Sequence, residues 1–258
     1  MLRVRPLTPF GAEVAGNQLS ASPDPAAVRS ACIRHRILVF REQGASDGEL
    51  AAFLASLGPP MYTAGEPPVA GAPQLNIVSN IGRKTPPRSV FHTDTSYVAR
   101  PPVFTALKSV VLPEAGGGTL FSDQVRAAAS LPARCREWLV GKTLEHSATG
   151  PDGVDYAVRH PVLRRLPETG ETSLYLSTPE RCCNLEGAAS ALSQRIVDAL
   201  YRHSTRQAHL YRHHWREGDV VLFDDRATMH KADHRGVQGD RVLHRGLVEG
   251  ERPVSAEV

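Results

Sequence analysis

Phe91-His92-Thr93-Asp94 places an imidazole and a carboxylate two residues apart. On an extended strand, residues i and i+2 point to one face, so His92 and Asp94 can bind one ion together. The spacing alone decides nothing. With 11 His and 27 acidic residues among 258, chance supplies about one H-x-D/E, and the chain has one. Its weight comes from a third donor further along the chain. Asp219–Arg226 reads as a strand and turn, and His230 lies four residues beyond it. Two neutral imidazoles and one carboxylate on one face of an octahedral ion leave three positions open. That facial arrangement suits non-haem Fe(II): two positions take a chelating 2-oxo acid and the third takes dioxygen beside a substrate. A zinc hydrolase could use the same donors, but it needs a base for its water, and the chain has no H-E-x-x-H helix.

Arg241-Val242-Leu243-His244-Arg245 adds two cations. On a strand they share a face about 13 Å apart, at ~3.3 Å rise per residue. An isolated R-x-x-x-R is more often a solvated pair, because most Arg are exposed. Beside an iron, however, two guanidinium groups would fit two anions. One is the distal carboxylate of a 2-oxo diacid, the other an acid group on the substrate.

These residues need a scaffold, and the chain reads as many short strands with a few helices. Asp24-Pro25 caps and opens a helix through about His35. Ile37–Phe40 is a continuous apolar run of buried-strand type. Ser46-Asp47-Gly48-Glu49 forms a capping box, with Leu50, Phe53, Leu54 and Leu57 at helical spacing before Gly58-Pro59. From Met61 to Arg88 the pattern loosens into a loop with one strand near Leu75–Val78. Strand-like runs recur at Val103–Leu112, Thr143–His146, Ser173–Leu176, Asp219–Phe223 and Arg241–Val248. Helical stretches intervene at Ser122–Ala129, Pro132–Val140 and Glu186–Tyr201. Gly116-Gly117-Gly118 reads as a turn. The predicted class is mainly β with flanking helices (α+β), a jelly-roll core in one domain over 1–258.

Bulk properties exclude other classes. The net charge is only +3, and the basic residues are mostly Arg scattered among acids, without the block or stripe of a nucleic-acid face. No apolar run approaches the ~18 residues of a membrane span, and the start has no signal-like apolar region. Cys32, Cys135, Cys182 and Cys183 form no C-x-x-C pair and read as free thiols, which points to a cytoplasmic protein.

Taken in order, these pieces resemble the taurine dioxygenase (TauD/TfdA) family over nearly the whole chain. Leu7–Val14 looks like the family's N-terminal strand, and Ile37–Arg41 with the Ser46 helix looks like its next elements. Phe91–Tyr97 matches the H-T-D block, followed by Arg100-Pro101-Pro102 and Gly116–Leu120. The C-terminal match runs from Trp215–Asp219 through His230 to His244-Arg245. The resemblance implies a double-stranded β-helix (cupin-like) fold and an Fe(II)- and 2-oxoglutarate-dependent dioxygenase that releases succinate and carbon dioxide. His92, Asp94 and His230 would be the iron ligands. Thr119 and Arg241 would hold the distal carboxylate of 2-oxoglutarate, and Arg245 would face the substrate's anionic group.

Arg88 stands where the taurine enzyme has a substrate-contacting Asn, which argues against taurine and suggests a second acid group or a different loop. Tyr62, Asn80 and Thr95 are further candidates for the substrate pocket. Asp225 replaces an Asn common in the family and is expected in a turn. His213, His214, His234 and His244 are expected to be structural. The expected substrate is a small anionic or amino-acid-like molecule, with hydroxylation the default outcome and desaturation, epoxidation or cyclisation as alternatives. A metal-dependent hydrolase or isomerase and a non-catalytic ligand-binding relative are the competing classes. Relatives often form dimers or larger assemblies, so a homo-oligomer is one expectation.

Overall fold

The apolar run Ile37–Phe40 lies at the centre of the architecture, because both of its faces are covered. Leu38 and Phe40 point toward the helices Pro25–His35 and Asp47–Leu57, among Leu50, Phe53, Leu54 and Phe104. Ile37 and Val39 point the other way, onto Phe121, Tyr211, Val221 and Phe223. A two-residue side-chain period therefore gives four consecutive buried positions. Each large side chain buried here contributes about 1.5–3 kcal/mol.

The structure is a computed structural model that describes residues 2–16, 18–63, 65–82 and 89–257. Its larger sheet runs in the order Arg3–Pro6, Ala12–Ala15, Ile37–Phe40, Val220–Asp224, Pro102–Val111, Val242–Glu249, Ala72–Ser79 and Pro68–Val69, with Pro60–Met61 also paired to Val242–Glu249. All these pairings are antiparallel except Ala12–Ala15 with Ile37–Phe40. Facing it is a smaller sheet, Leu210–His213, Thr119–Asp123 and Thr228–Ala232. The rings of Phe121 and Phe223, 5.1 Å apart, join the two layers. Two further three-stranded sheets and the helix Ser190–Ser204 enclose a second core around Leu144, Leu163, Leu174 and Val197. This is the predicted mainly-β jelly roll with helices outside.

Local signals correspond closely to the observed elements. Asp24 accepts from the Ala26 amide at the first helix. At the second, the Ser46 hydroxyl accepts from the Glu49 amide at 3.2 Å, and the Glu49 carboxylate accepts from the Ser46 amide at 2.7 Å. The last long helix begins at Ser190, later than the predicted Glu186, because the Glu186 carboxylate instead accepts from Thr143. Strands at Thr119–Asp123, Asp155–Pro161 and Thr228–Ala232 lacked a separate sequence signal. Among the described residues, no helix is long and apolar enough to cross a membrane, and all four cysteines are free thiols.

Candidate active site

His92 and His230 meet across one isolated antiparallel bridge. Each amide donates to the other's carbonyl, at 3.0 and 2.9 Å. The backbone itself thus brings the first and last candidate ligands together, with ring centroids 4.4 Å apart. The strand expected at His92–Asp94 is only this bridge. Asp94 lies just beyond it in a turn, where Thr93 donates to the Leu176 carbonyl at 2.7 Å. The three side chains still converge: their ligand atoms lie within 4.8 Å of one another. The Asp94 oxygens are 3.7 Å from His92 Nε2 and 3.9 Å from His230 Nε2.

Protonation states suit a cation. The Val90 carbonyl can only accept, so the 2.9 Å contact from His92 Nδ1 places a proton there and makes Nε2 the nitrogen that faces Asp94. Burial, aided by the neighbouring His92, pushes the His230 pKa down to about 3, so its ring is neutral at neutral pH. Among the described residues, its buried Nδ1 has no hydrogen-bond partner. Burial alone would raise the Asp94 pKa, but Arg245 and the two imidazoles outweigh it and hold the carboxyl ionised, well below the usual range. Two imidazoles and one carboxylate therefore fit a divalent ion with open positions.

The metal candidates open into a cavity of about 560 Å³ that Thr119, Arg241, Arg245 and Thr95 also line. Arg241 is 2% exposed. Its Nε donates to the Gly117 carbonyl at 2.8 Å and its Nη2 to the Thr119 hydroxyl at 3.2 Å. No carboxylate among the described residues pairs with it, and burial pushes its pKa down to about 10. A buried cation without a counter-ion is costly, and an anion entering the cavity would offset that cost. Thr119 also accepts from Trp215 Nε1 at 3.0 Å, leaving its own O–H to donate. Gly117 is required here: its φ is +73°, and a Cβ would come within 2.7 Å of Pro113 and 3.2 Å of Arg241.

Other candidates are redistributed. Arg245 lines the cavity, but its Nη1 donates to Asp94 at 3.0 Å, and Glu66 lies 4.0 Å away. Its charge is thus opposed by two carboxylates. Thr95 lines the cavity, with φ of 43° and its hydroxyl 3.5 Å from that of Thr63. Tyr62 is not among the lining residues: it is 42% exposed, and its hydroxyl donates to the Glu66 carbonyl. Asn80 also is not among the lining residues. Its carbonyl oxygen accepts from the Arg241 amide at 2.7 Å and its amide donates to Gly239, so it braces the Arg241 backbone. Arg88 lies outside the described residues.

Asp225 is in a turn, yet it is buried and accepts from Thr105, whose hydroxyl is also 3.4 Å from Asp94. Burial, with Asp94 nearby, holds its pKa well above the usual range. His244 and His213 are structural as expected, bonded to Asp47 and Asp219. Sequence reasoning missed Tyr97, Glu66 and Arg181 as cavity residues. Of these, only Tyr97 had a signal, its place in the Phe91–Tyr97 block.

A jelly roll with a His-Asp-His cluster and a buried, uncompensated Arg in one cavity defines the class of non-haem metal oxygenases that use a 2-oxo acid. The family model described as "Taurine catabolism dioxygenase TauD, TfdA family" matches residues 3–247, and the chain belongs to that family. It is 31% identical to the alpha-ketoglutarate-dependent sulfate ester dioxygenase of Pseudomonas putida, covering 96% of this chain and 89% of that one. It is 27% identical to the alpha-ketoglutarate-dependent 2,4-dichlorophenoxyacetate dioxygenase of Cupriavidus pinatubonensis, over 81% of this chain and 83% of the relative. The crystal structure of a taurine dioxygenase from Burkholderia xenovorans superposes with a TM-score of 0.87 at 32% identity, covering 98% of this chain and 93% of that one. The protein is accordingly a 2-oxoglutarate-dependent dioxygenase, an oxidoreductase with Fe(II) as its metal and 2-oxoglutarate and dioxygen as co-substrates.

Proposed function

We propose that this dioxygenase hydroxylates an unactivated carbon of a small molecule bearing an anionic group, at an iron held by His92, Asp94 and His230. The observation that carries the reading is the single cavity shared by those three side chains and by Arg241 with Thr119. A hydrolase would have no use for a buried, carboxylate-free Arg beside its metal, whereas a 2-oxo diacid needs one.

In this reading, His92 and His230 supply neutral nitrogen donors, and Asp94 supplies the charge. Arg241 and the Thr119 hydroxyl receive the distal carboxylate of 2-oxoglutarate. An Fe(II) ion held by these residues would activate dioxygen, the oxidant that inserts one oxygen atom into the substrate C–H bond and the other into succinate as 2-oxoglutarate loses carbon dioxide. Ile77, Val78, Leu107 and Leu243 form apolar walls that limit water around the reacting groups. The anionic substrate class is supported by the cationic excess of the lining and by the relatives: sulfate esters and phenoxyacetates each carry one acidic head on an apolar body.

The test is succinate release from 2-oxoglutarate under air across paired compounds, each anion beside its neutral analogue. Stimulation by anionic members is the expected result. Stimulation confined to neutral compounds would remove the anionic assignment, and no stimulated turnover by either group would count against hydroxylation of such small molecules.

A further inference from the structure

The strand Leu210–His213 runs antiparallel to Thr119–Asp123, with His213 directly opposite Thr119. His213 is fully buried, and its Nε2 lies 3.1 Å from a carboxylate oxygen of the equally buried Asp219. The same oxygen accepts from the Arg216 amide at 2.8 Å and from the Arg41 guanidinium. Trp215, two residues beyond His213, stands edge-on against this fixed imidazole, with ring centroids 4.6 Å apart and planes at 85°. It also packs against the core that contains Phe121, Tyr211 and Phe223. These contacts set the indole plane, and Nε1 reaches the Thr119 hydroxyl at 3.0 Å.

A threonine oxygen has two lone pairs and carries one proton. Trp215 Nε1 donates to one lone pair of Thr119, and Arg241 Nη2 donates to the other at 3.2 Å. Only the O–H remains, and it must donate. Without the indole N–H, one lone pair is released and the proton is free to occupy another staggered position. Thr119 and Arg241 both line the cavity. A receptor built in this way presents hydrogen-bond donors alone, which suits an ionised carboxylate.

We propose that Trp215 is a positioning residue for the co-substrate: its indole N–H, together with Arg241, turns the Thr119 proton toward the distal carboxylate. The proposal deepens the reading of Arg241 and Thr119 as the receptor for 2-oxoglutarate and rests on it. His213 and Asp219 act one step further back, since neither lines the cavity.

The first test needs no ligand. The full chain has two tryptophans, of which Trp138 is exposed, so proton–nitrogen correlation spectra contain two indole N–H resonances, and Trp215→Phe assigns them. Thr119→Val is expected to shift the Trp215 resonance and speed its hydrogen exchange, with Trp138 unchanged. Thr119→Ser, which keeps the hydroxyl, is expected to restore the native exchange rate. A Trp215 resonance unmoved by Thr119→Val would overturn the proposal. The second test titrates the Mn(II)-loaded protein calorimetrically with the unreactive analogue N-oxalylglycine. Trp215→Phe keeps an aromatic ring and removes the donor, and should weaken binding about threefold to tenfold, the value of one hydrogen bond, with Mn(II) affinity unchanged. In a Thr119→Val background the same substitution should cost less than about twofold, because the hydroxyl through which it acts is gone. An equal loss in both backgrounds would overturn the proposal by assigning the effect to ring packing, and so would a loss below about threefold in Trp215→Phe alone. Failure of native Mn(II)-loaded protein to bind N-oxalylglycine would instead overturn the co-substrate assignment, a result on which the unliganded spectra do not depend.

Discussion

Replacing Arg241 with Met should abolish tight 2-oxoglutarate binding while leaving the unliganded fold about as stable as before. Both halves follow from the burial of a cation that no carboxylate compensates. Its pKa falls from 12.5 to about 10 because burial disfavours the charged form. At about 1.4 kcal/mol per pH unit, this corresponds to roughly 3 kcal/mol against the charged side chain. For a base whose pKa is lowered on folding, that cost applies throughout the range below about pH 10, neutral pH included. Met removes the cost and forfeits the hydrogen bonds to Gly117 and Thr119, each worth about 0.5–1.5 kcal/mol. The opposing effects nearly cancel, so the melting temperature of unliganded Arg241→Met should stay within a few degrees of native. Binding has no such cancellation. Removing a bidentate guanidinium–carboxylate pair from a buried site costs about 3–4 kcal/mol, or about a hundredfold to a thousandfold in Kd. Anaerobic calorimetry with 2-oxoglutarate on the Mn(II)-loaded protein, beside thermal denaturation without ligand, reads both quantities. Near-native affinity in Arg241→Met would refute the assignment. A large fall in unliganded stability would refute the argument that Arg241 waits for its counter-ion.

Thr105→Val should weaken Mn(II) binding about tenfold to a hundredfold, because it removes the hydroxyl between Asp225 and the Asp94 carboxylate; an unchanged metal titration would show that Asp94 needs no such support. Acid should destabilise the fold through His146, whose burial, with His160 beside it, pushes its pKa down to about 3. Between that value and the unfolded 6.5 the unfolded chain binds the extra proton, so stability falls as pH drops through this window, by about 2 kcal/mol at pH 5. His146→Phe keeps an aromatic ring against Tyr175 and should flatten this part of the urea-denaturation pH profile; an identical slope in both proteins would contradict it.

Much of the site was legible because its chemistry resides in residue types the sequence displays. His92, Asp94 and His230 are the only metal-ligand cluster among the described residues, and Thr119 with Arg241 faces the same cavity. The fold was legible where local signals act alone, as in the Ser46 capping box or the doubly covered run Ile37–Phe40. What was not legible depends on partners distant in sequence. Arg245 was expected to face the substrate's anionic group; folding also puts Asp94 and Glu66 against it. Arg181 carried no signal of its own, because the ring it lies over, Tyr97, is distant in sequence. Asn80 and Tyr62 were expected to line the substrate pocket. Their hydrogen bonds, to Arg241 and Glu66, direct them to support backbone rather than to line the cavity. The bridge between His92 and His230 likewise has no local signature, since each residue supplies the other's hydrogen bonds.

The central claim is tested most directly by anaerobic titration of the metal-free protein with Fe(II) and 2-oxoglutarate, followed by visible absorption. Native protein should develop the weak charge-transfer band of a chelated 2-oxo acid, and folded His92→Ala should show none. A well-folded native protein without the band, or a band that survives in His92→Ala, would contradict the account.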